Sequence, residues 1–459
     1  MSQPLTLPQR PLLAFSPTGI VELLRRCRPF AGPALLVSVG YMDPGNWATD
    51  LQAGALYHYD LLWVVVLASA MAMVLQLLAA RLGMVSGRDL AQACREHYPA
   101  WCAVPLWLLC EIAIGACDLA EVLGSAVAIN LLFGTPLMMA VLMTAGDVFL
   151  LLLLQRHGMR AIEAVVLVLV ATIAGAFFME LFVLPATRPD LLELGRAVVH
   201  PTLSSAGMAS IAVAIIGATV MPHNLYLHSA LVSGDPQAAA PRPAALKRAL
   251  RMSTWATVVS LSLACLVNAA ILVLAAQVFH GQQQISIGGQ HYVLGDQTDW
   301  IQLAYLTFTP VVGSALASAL FAIALLASGQ SSTLTGTLAG QVVMEGFTRW
   351  HLDPWKRRML TRALAIAPAV VIIGLRGDSS VNDLLILSQV VLALQLPFAM
   401  FPLLHFVSTR RHMGALPTPR LLLALGWLSA AAITAFDLVG LPGSVADVLR
   451  ILTRSGVHP

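Results

Sequence analysis

Blocks of about 20 mostly apolar residues, the length a helix needs to cross the hydrocarbon core of a bilayer, recur along this chain from about residue 31 to residue 440. No polar interval between them is long enough to fold as a separate soluble domain. Of the 459 residues, 58% are hydrophobic and only 11% charged, against about a quarter charged in an ordinary soluble domain. The chain is therefore expected to be an all-α integral membrane protein with a single transmembrane domain over 31–440.

The span criterion gives candidates near 31–57, 61–84, 101–132, 135–155, 160–184, 204–233, 248–279, 309–346, 360–376, 381–407 and 419–440, about eleven helices in all. If residues 1–30 stay in the cytoplasm, the inner segments hold 21 of the 26 basic residues, while the long polar segment near 280–300 falls outside and holds none. Retention of Lys and Arg on the cytoplasmic side fixes the orientation. The odd span count then places the tail, 441–459, on the extracytoplasmic side. Residues 1–30 lack an apolar stretch followed by a small-residue cleavage site, so no removable signal peptide is expected. The six cysteines form no CxxC pair and are read as small apolar fillers. A net charge of +3 spread this way reflects topology and gives no reason to expect a nucleic-acid partner.

Two spans contain sequences that no continuous membrane helix would carry. The first reads Ser38-Val39-Gly40-Tyr41-Met42-Asp43-Pro44-Gly45-Asn46-Trp47, and the sixth contains Val220-Met221-Pro222-His223-Asn224. Pro44 and Pro222 each remove a backbone donor and disfavour helix at the residue before them, Asp43 and Met221. Gly45 weakens the first break further. Irregular backbone at membrane depth is tolerated only where it lines a protein cavity. The breaks open two blocks of five spans, 31–184 and 204–407, and an odd number of spans per block gives the blocks opposite orientation. That pattern predicts an inverted repeat with a midplane site between two discontinuous helices. The eleventh helix, 419–440, is an appendage.

A carboxylate at mid-membrane depth costs several kcal/mol, so Asp43 should face a cavity. A structural ion pair is the alternative, with Arg362 or a histidine as the nearby candidates. Asn46 lies three residues on, Met221 offers a thioether, and unwinding exposes the carbonyls of Gly40 and Ala218. Hard oxygens alone would suit magnesium or calcium, whereas a thioether favours softer transition metals. In the third span, Glu111, Asp118 and Glu121 are separated by seven and three residues and fall near one helix face. Three such acids suggest a relay of protonatable groups, or else one salt bridge plus two interface acids.

At these residues the sequence resembles the Nramp family, the natural resistance-associated macrophage protein family of proton-coupled divalent metal transporters, in its bacterial manganese and iron form. The resemblance rests on Asp43-Pro44-Gly45-Asn46, on Ala218 with Met221-Pro222-His223-Asn224, and on Gly329-Gln330-Ser331-Ser332-Thr333-Leu334-Thr335-Gly336-Thr337-Leu338-Ala339-Gly340-Gln341 followed by Met344-Glu345-Gly346-Phe347. It implies a LeuT-type fold of five plus five helices with one more. It also implies Asp43, Asn46, Met221 and the Ala218 carbonyl as metal ligands, with Gln389 approaching the ion during occlusion. Gly40 stands where many relatives have alanine, and little chemical change is expected from that. The proton path implied runs from Asp43 and His223 to Asp118 and Glu121, assisted by Arg362, with His228 as a possible extension. The expected cargo is Mn2+ or Fe2+, with Cd2+ and Co2+ as further substrates and protons as the coupling ion, moved into the cell through the plasma membrane. No prosthetic group and no obligate protein partner besides membrane lipid are expected.

A carrier of Mg2+ or another cation on the same fold and a metal-selective channel are the alternatives, and retention of Met221 argues against the first. A membrane metalloenzyme would need several strong ligands with an open position. The chain has no HExxH motif and no paired histidines beside the breaks. A sensor without transport would need a signalling domain that the sequence does not show.

Overall fold

The computed structural model describes residues 32–146, 164, 168, 171–175, 189–233, 243–287, 290–295, 298–312, 315–349, 353–377, 380–414 and 416–453. The N-terminal segment 1–30, residues 147–155 of the expected span 135–155 and most of the expected span 160–184 lie outside the described residues.

The chain runs through α1 (32–40), α2 (Pro44–Tyr57), α3 (Leu62–Ser86), α4 (Leu90–His97), α5 (Ala100–Phe133), α6 (Leu137–Met143) and α7 (Leu191–Val199). It continues through α8 (Ala206–Thr219), α9 (Pro222–Leu231) and α10 (Pro243–Phe279) to a hairpin of β1 (Gln284–Ile287) and β2 (Gln290–Val293). The last elements are α11 (Trp300–Val312), α12 (Ala315–Thr348), α13 (Pro354–Arg376), α14 (Ser380–Ser408), α15 (Arg410–Met413) and α16 (Arg420–Thr453). Among the described residues eight helices are long and apolar enough to cross a membrane.

Both expected breaks are present. The first span divides into α1 and α2 around Tyr41, Met42 and Asp43, and the sixth into α8 and α9 around Val220 and Met221. Pro44 and Pro222 occupy first-turn positions of the helices they start, where a missing N–H costs nothing. Asp43 caps α2, its carboxylate accepting from the Asn46 N–H at 2.8 Å.

Three expected boundaries change. The candidate span 309–346 is two helices, α11 and α12. Apolar residues on both sides of the Val312–Ala315 junction, from Pro310 to Ala315, hide the join in a hydropathy reading. The last helix does not stop at residue 440 but continues to Thr453, so most of the expected tail is helical. The linker after α3 also contains α4, capped by Asp89 through the Gln92 N–H at 2.8 Å.

The two broken helices sit at the centre of the packing. Helix α2 lies against α10 and α8, α8 against α14, α9 against α3 and α12, and α5 against α12 and α14. Small residues permit these approaches. A Cβ on Gly124 of α5 would collide with the Pro44 ring, and one on Gly329 of α12 with the Ser125 hydroxyl. Pro44 is thus clamped by α5 at the break itself.

Candidate functional site: a cation site between two broken helices

Unwinding leaves carbonyls without helical partners, and side chains from neighbouring helices supply them. Asn268 of α10 donates from Nδ2 to the Tyr41 carbonyl at 2.9 Å, and the Ser328 hydroxyl of α12 donates to the Met42 carbonyl. Asn46 Nδ2 donates to the Ala218 carbonyl at 3.1 Å. These bonds tie the two breaks to each other and to the surrounding helices, so the irregular backbone is held rather than loose.

Asp43, Asn46, Ala218 and Met221 are at most 1% exposed. Asp43 Oδ1 accepts from Asn46 Nδ2 at 2.6 Å, and the same amide nitrogen reaches Ala218 O, so the carboxylate and the carbonyl share one donor. Asp43 Oδ2 has no hydrogen-bond partner. No ion pair to Asp43 exists among the described residues, which leaves the alternative of a structural salt bridge to Arg362 or a histidine without support. At the second break, Asn224 Nδ2 donates to the Met221 thioether at 3.5 Å.

As a ligand Asn46 is expected to offer its carbonyl oxygen, and in the structure its nitrogen faces the carboxylate. Its Oδ1 turns the other way, accepting from Asn268 Nδ2 at 3.2 Å and Thr219 Oγ1 at 3.4 Å. The amide N–H group is the donor that serves both neighbouring oxygens, the Asp43 carboxylate and the Ala218 carbonyl. Reversal of the amide presents the oxygen instead. The reversed nitrogen can donate to the Thr219 hydroxyl but faces Asn268 Nδ2, also a donor, so Asn268 must turn its unpartnered Oδ1 toward it as well.

Gly40 lies beside Asn224 and Met221. A Cβ there would overlap Asn224 Nδ2 and sit 3.4 Å from Met221 Sδ, so the missing methyl is the space in which the Asn224 amide reaches the thioether. Gln389 of α14 lies against α2, its amide filling the space above Gly45, with Oε1 unpartnered and Nε2 donating to Ser388 Oγ at 2.8 Å.

The acids of α5 divide. Glu121 and Asp118 are buried side by side: a Cβ on Gly336 of α12 would lie 3.0 Å from Glu121 Oε1 and 3.6 Å from Asp118 Oδ1. Ser332 donates to Glu121 Oε1 at 2.9 Å, and Arg362 is the strongest opposing charge on Asp118. Glu111 stands apart. It pairs with Arg357 at 2.8 Å and accepts from Trp107 Nε1 at 2.9 Å. The Glu111 charge is therefore answered by Arg357, so one of the three acids is in a salt bridge while the other two lie together.

His223 is 1% exposed with Nδ1 unpartnered. His228 is fixed in a separate chain, with its Nδ1 2.9 Å from Gln76 Oε1 while Gln76 Nε2 donates to Tyr41 OH at 2.8 Å. This chain ends at the first break and extends the polar lining from Tyr41 to α9. Sequence reasoning missed Asn268, Thr219, Gln76 and Ser332. Asn268 was the most visible of them, an isolated amide in the apolar run from Leu261 to Leu274.

No group of three His, Cys, Asp or Glu side chains at metal-ligand separation exists among the described residues. The donors at the breaks are instead one carboxylate, amides, a carbonyl and a thioether, a set that suits a divalent cation of intermediate softness.

Comparison with known proteins gives the same assignment. A family model described as natural resistance-associated macrophage protein-like matches residues 34–441. The chain is 51% identical over 420 residues to a protein of Pseudomonas aeruginosa named divalent metal cation transporter MntH 1, covering 90% of this chain and 91% of that one. It is 49% identical to the MntH of Xylella fastidiosa strain 9a5c over 429 residues, 93% of this chain and 87% of that one. Among solved structures, the manganese transporter of Eremococcus coleocola superposes with a TM-score of 0.81 at 36% identity, covering 95% of this chain and 90% of that one. Mhp1, a nucleobase-cation-symport-1 family transporter, shares the fold at a TM-score of 0.56 and 14% identity, over 92% and 91% of the two chains. On this match of family model, sequence and fold, the chain belongs to the Nramp family.

Proposed function

We propose that the chain imports divalent transition metal ions, Mn2+ or Fe2+, with protons as the coupling ion, by alternating access around the two broken helices. The observation that carries this reading is the buried meeting of Asp43, Asn46, Ala218 O and Met221, with one carboxylate oxygen unmet. The names of the relatives, divalent metal cation transporter and manganese transporter, agree with it.

In this reading an ion arriving between α1 and α2 replaces the Asn46 amide N–H group. It takes Asp43, the reversed Asn46 oxygen, Ala218 O and Met221 Sδ as ligands, and Gln389 Oε1 comes in as the site closes. A dication beside Asp43 raises the cost of holding a proton on nearby groups, which gives coupling an electrostatic basis. His223, with Asp118 and Glu121 beyond it, supplies the proton route, and Arg362 offsets the charge of Asp118. Glu111 and Arg357 act as a brace between α5 and α13. The thioether disfavours Mg2+ and Ca2+ as cargo. The distribution of basic residues supports an N-terminus in the cytoplasm and a C-terminus outside the plasma membrane.

Uptake of Mn2+ into liposomes under an imposed proton gradient tests the reading. Uptake should saturate with metal and accelerate when the outside is acid. Ohmic current without saturation would replace the carrier with a channel.

A further inference from the structure

Helix α2 carries a second acid that the proposed metal and proton path leaves unused. Asp50 lies four residues beyond Asn46 and seven beyond Asp43, spacings that bring the three side chains to one face of the helix. It is 1% exposed, and its Oδ2 has no hydrogen-bond partner. Among the described residues no Lys, Arg or His forms an ion pair with it. The titratable groups that act on it are Asp43, on its own helix, and the thiol of Cys265 on α10, which is hydrogen-bonded to Ser69 of α3. Neither is a cation. A buried carboxylate with an oxygen unmet and no opposite charge beside it is costly. Asp50 is therefore either a neutral filler or the answer to a charge that the chain itself lacks.

The donors at the two breaks leave such a charge open. Asp43 is the single anionic ligand among them, since the Asn46 amide, the Ala218 carbonyl and the Met221 thioether are neutral. A dication bound there keeps one unit of positive charge in a buried site. Asp118 and Glu121 both face the charge of Arg362, whereas Asp50 has no cation of its own. Seven residues of helix rise about 10 Å, and across a protein interior two charges at that separation still interact strongly. We propose that Asp50 is the second negative charge of the cation site, a specificity-determining residue that balances a dication held at Asp43 without touching it. It sets a preference for doubly over singly charged ions, beside the preference for softer ions proposed for Met221. The inference rests on the proposed cation site and adds to it the residue that answers its remaining charge.

The test is calorimetric titration of Mn2+ and of Cd2+ into the purified full chain in detergent, comparing the natural sequence with Asp50→Asn, Asp50→Glu and Asp43→Ala. Asp50→Asn keeps the shape and removes the charge, and should weaken both ions at least tenfold. The two losses should agree within threefold, because the field of a distant carboxylate acts on ionic charge and not on softness. Asp50→Glu keeps the charge and should bind both ions within threefold of the natural chain. The metal-free Asp50→Asn chain should unfold at the same or a higher temperature, since an amide replaces a buried acid, which separates a lost charge from a damaged fold. Mn2+ binding by Asp50→Asn within threefold of the natural chain would overturn the proposal and leave Asp50 as a neutral filler. Equal losses in Asp50→Glu and Asp50→Asn, or a loss for one ion alone, would also overturn it, because both report distorted ligands. Asp43→Ala should bind neither ion. Normal binding by Asp43→Ala would refute the central site and this proposal with it, whereas normal binding by Asp50→Asn alone refutes only the second charge.

Discussion

The approach of Gln389 to the first break can be tested by a single methyl group. A Cβ on Gly45 would lie 2.8 Å from Gln389 Oε1 and closer still to Nε2 and Cδ, so Gly45→Ala cannot coexist with the Gln389 amide in its place. That amide is the end of a flexible side chain. It can swing away, giving up its bond to Ser388 Oγ, worth about 0.5–1.5 kcal/mol. Together with residual overpacking the loss should be about 1–2 kcal/mol. Gly217, on α8, is the control. There a Cβ would overlap the Gln389 carbonyl and sit 2.7 Å from Ala393 N, both backbone, so α8 and α14 must separate. The cost should reach about 3 kcal/mol, the upper end for an overpacked core. Thermal unfolding followed by tryptophan fluorescence should therefore rank Gly217→Ala below Gly45→Ala. Adding Gln389→Ala to Gly45→Ala should return about 1 kcal/mol as a coupling energy. Mn2+ uptake by Gly45→Ala should fall at least tenfold despite the modest stability loss, since Gln389 no longer reaches the site. Equal destabilisation by the two glycine substitutions, or no relief from Gln389→Ala, would refute the reasoning.

Three other outcomes follow from the structure. Arg357→Met strands the mostly buried Glu111 carboxylate and should cost about 3 kcal/mol; the double variant Arg357→Met/Glu111→Leu should recover most of it and keep proton-stimulated uptake, and loss of that stimulation with the fold intact would return Glu111 to the proton route. Asn268→Leu should leave the Tyr41 carbonyl without its donor and Asn46 Oδ1 with Thr219 as its remaining one, costing about 1–3 kcal/mol, and should weaken Mn2+ binding in a calorimetric titration; unchanged binding would contradict the amide reversal. Burial pushes the Asp89 carboxyl up to about 6, so the fold holds this proton more tightly than the unfolded chain does. That contribution is full below about pH 4 and is lost as pH rises through 6. Asp89→Asn keeps the helix cap and should flatten stability against pH over that window, and an unchanged slope would contradict it.

The two breaks were legible because proline and glycine act locally. Pro44 and Pro222 disfavour helix at the residue before them, and those residues, Asp43 and Met221, are chemically conspicuous in apolar runs, a marker that the other prolines inside continuous helices lack. The division of 309–346 was not legible, since hydropathy reports burial in lipid and a join between two apolar helices leaves it unchanged. The orientation of Asn46 was hidden for a different reason. Its amide oxygen is met by Asn268, 222 residues away, which spacing within the first helix cannot report. The partner of Glu111 was not legible for the same kind of reason. Arg357 and Arg362 are five residues apart on α13, and only the packing of α13 on α5 decides which one meets which acid. The space that Gly40 leaves for Asn224 likewise needs both breaks in register.

The most direct test of the central site is competitive uptake in proteoliposomes by the natural chain, Asp43→Ala and Met221→Ala. Mn2+ or Cd2+ is supplied as the tracer, and Ca2+ or Mg2+ as the competitor. Asp43→Ala should take up no metal. Met221→Ala should still transport but lose most of its preference for the softer ions, because the carboxylate, amide and carbonyl oxygens remain while the thioether is gone. Metal uptake by Asp43→Ala, or an unchanged preference in Met221→Ala, would contradict a site built from these residues.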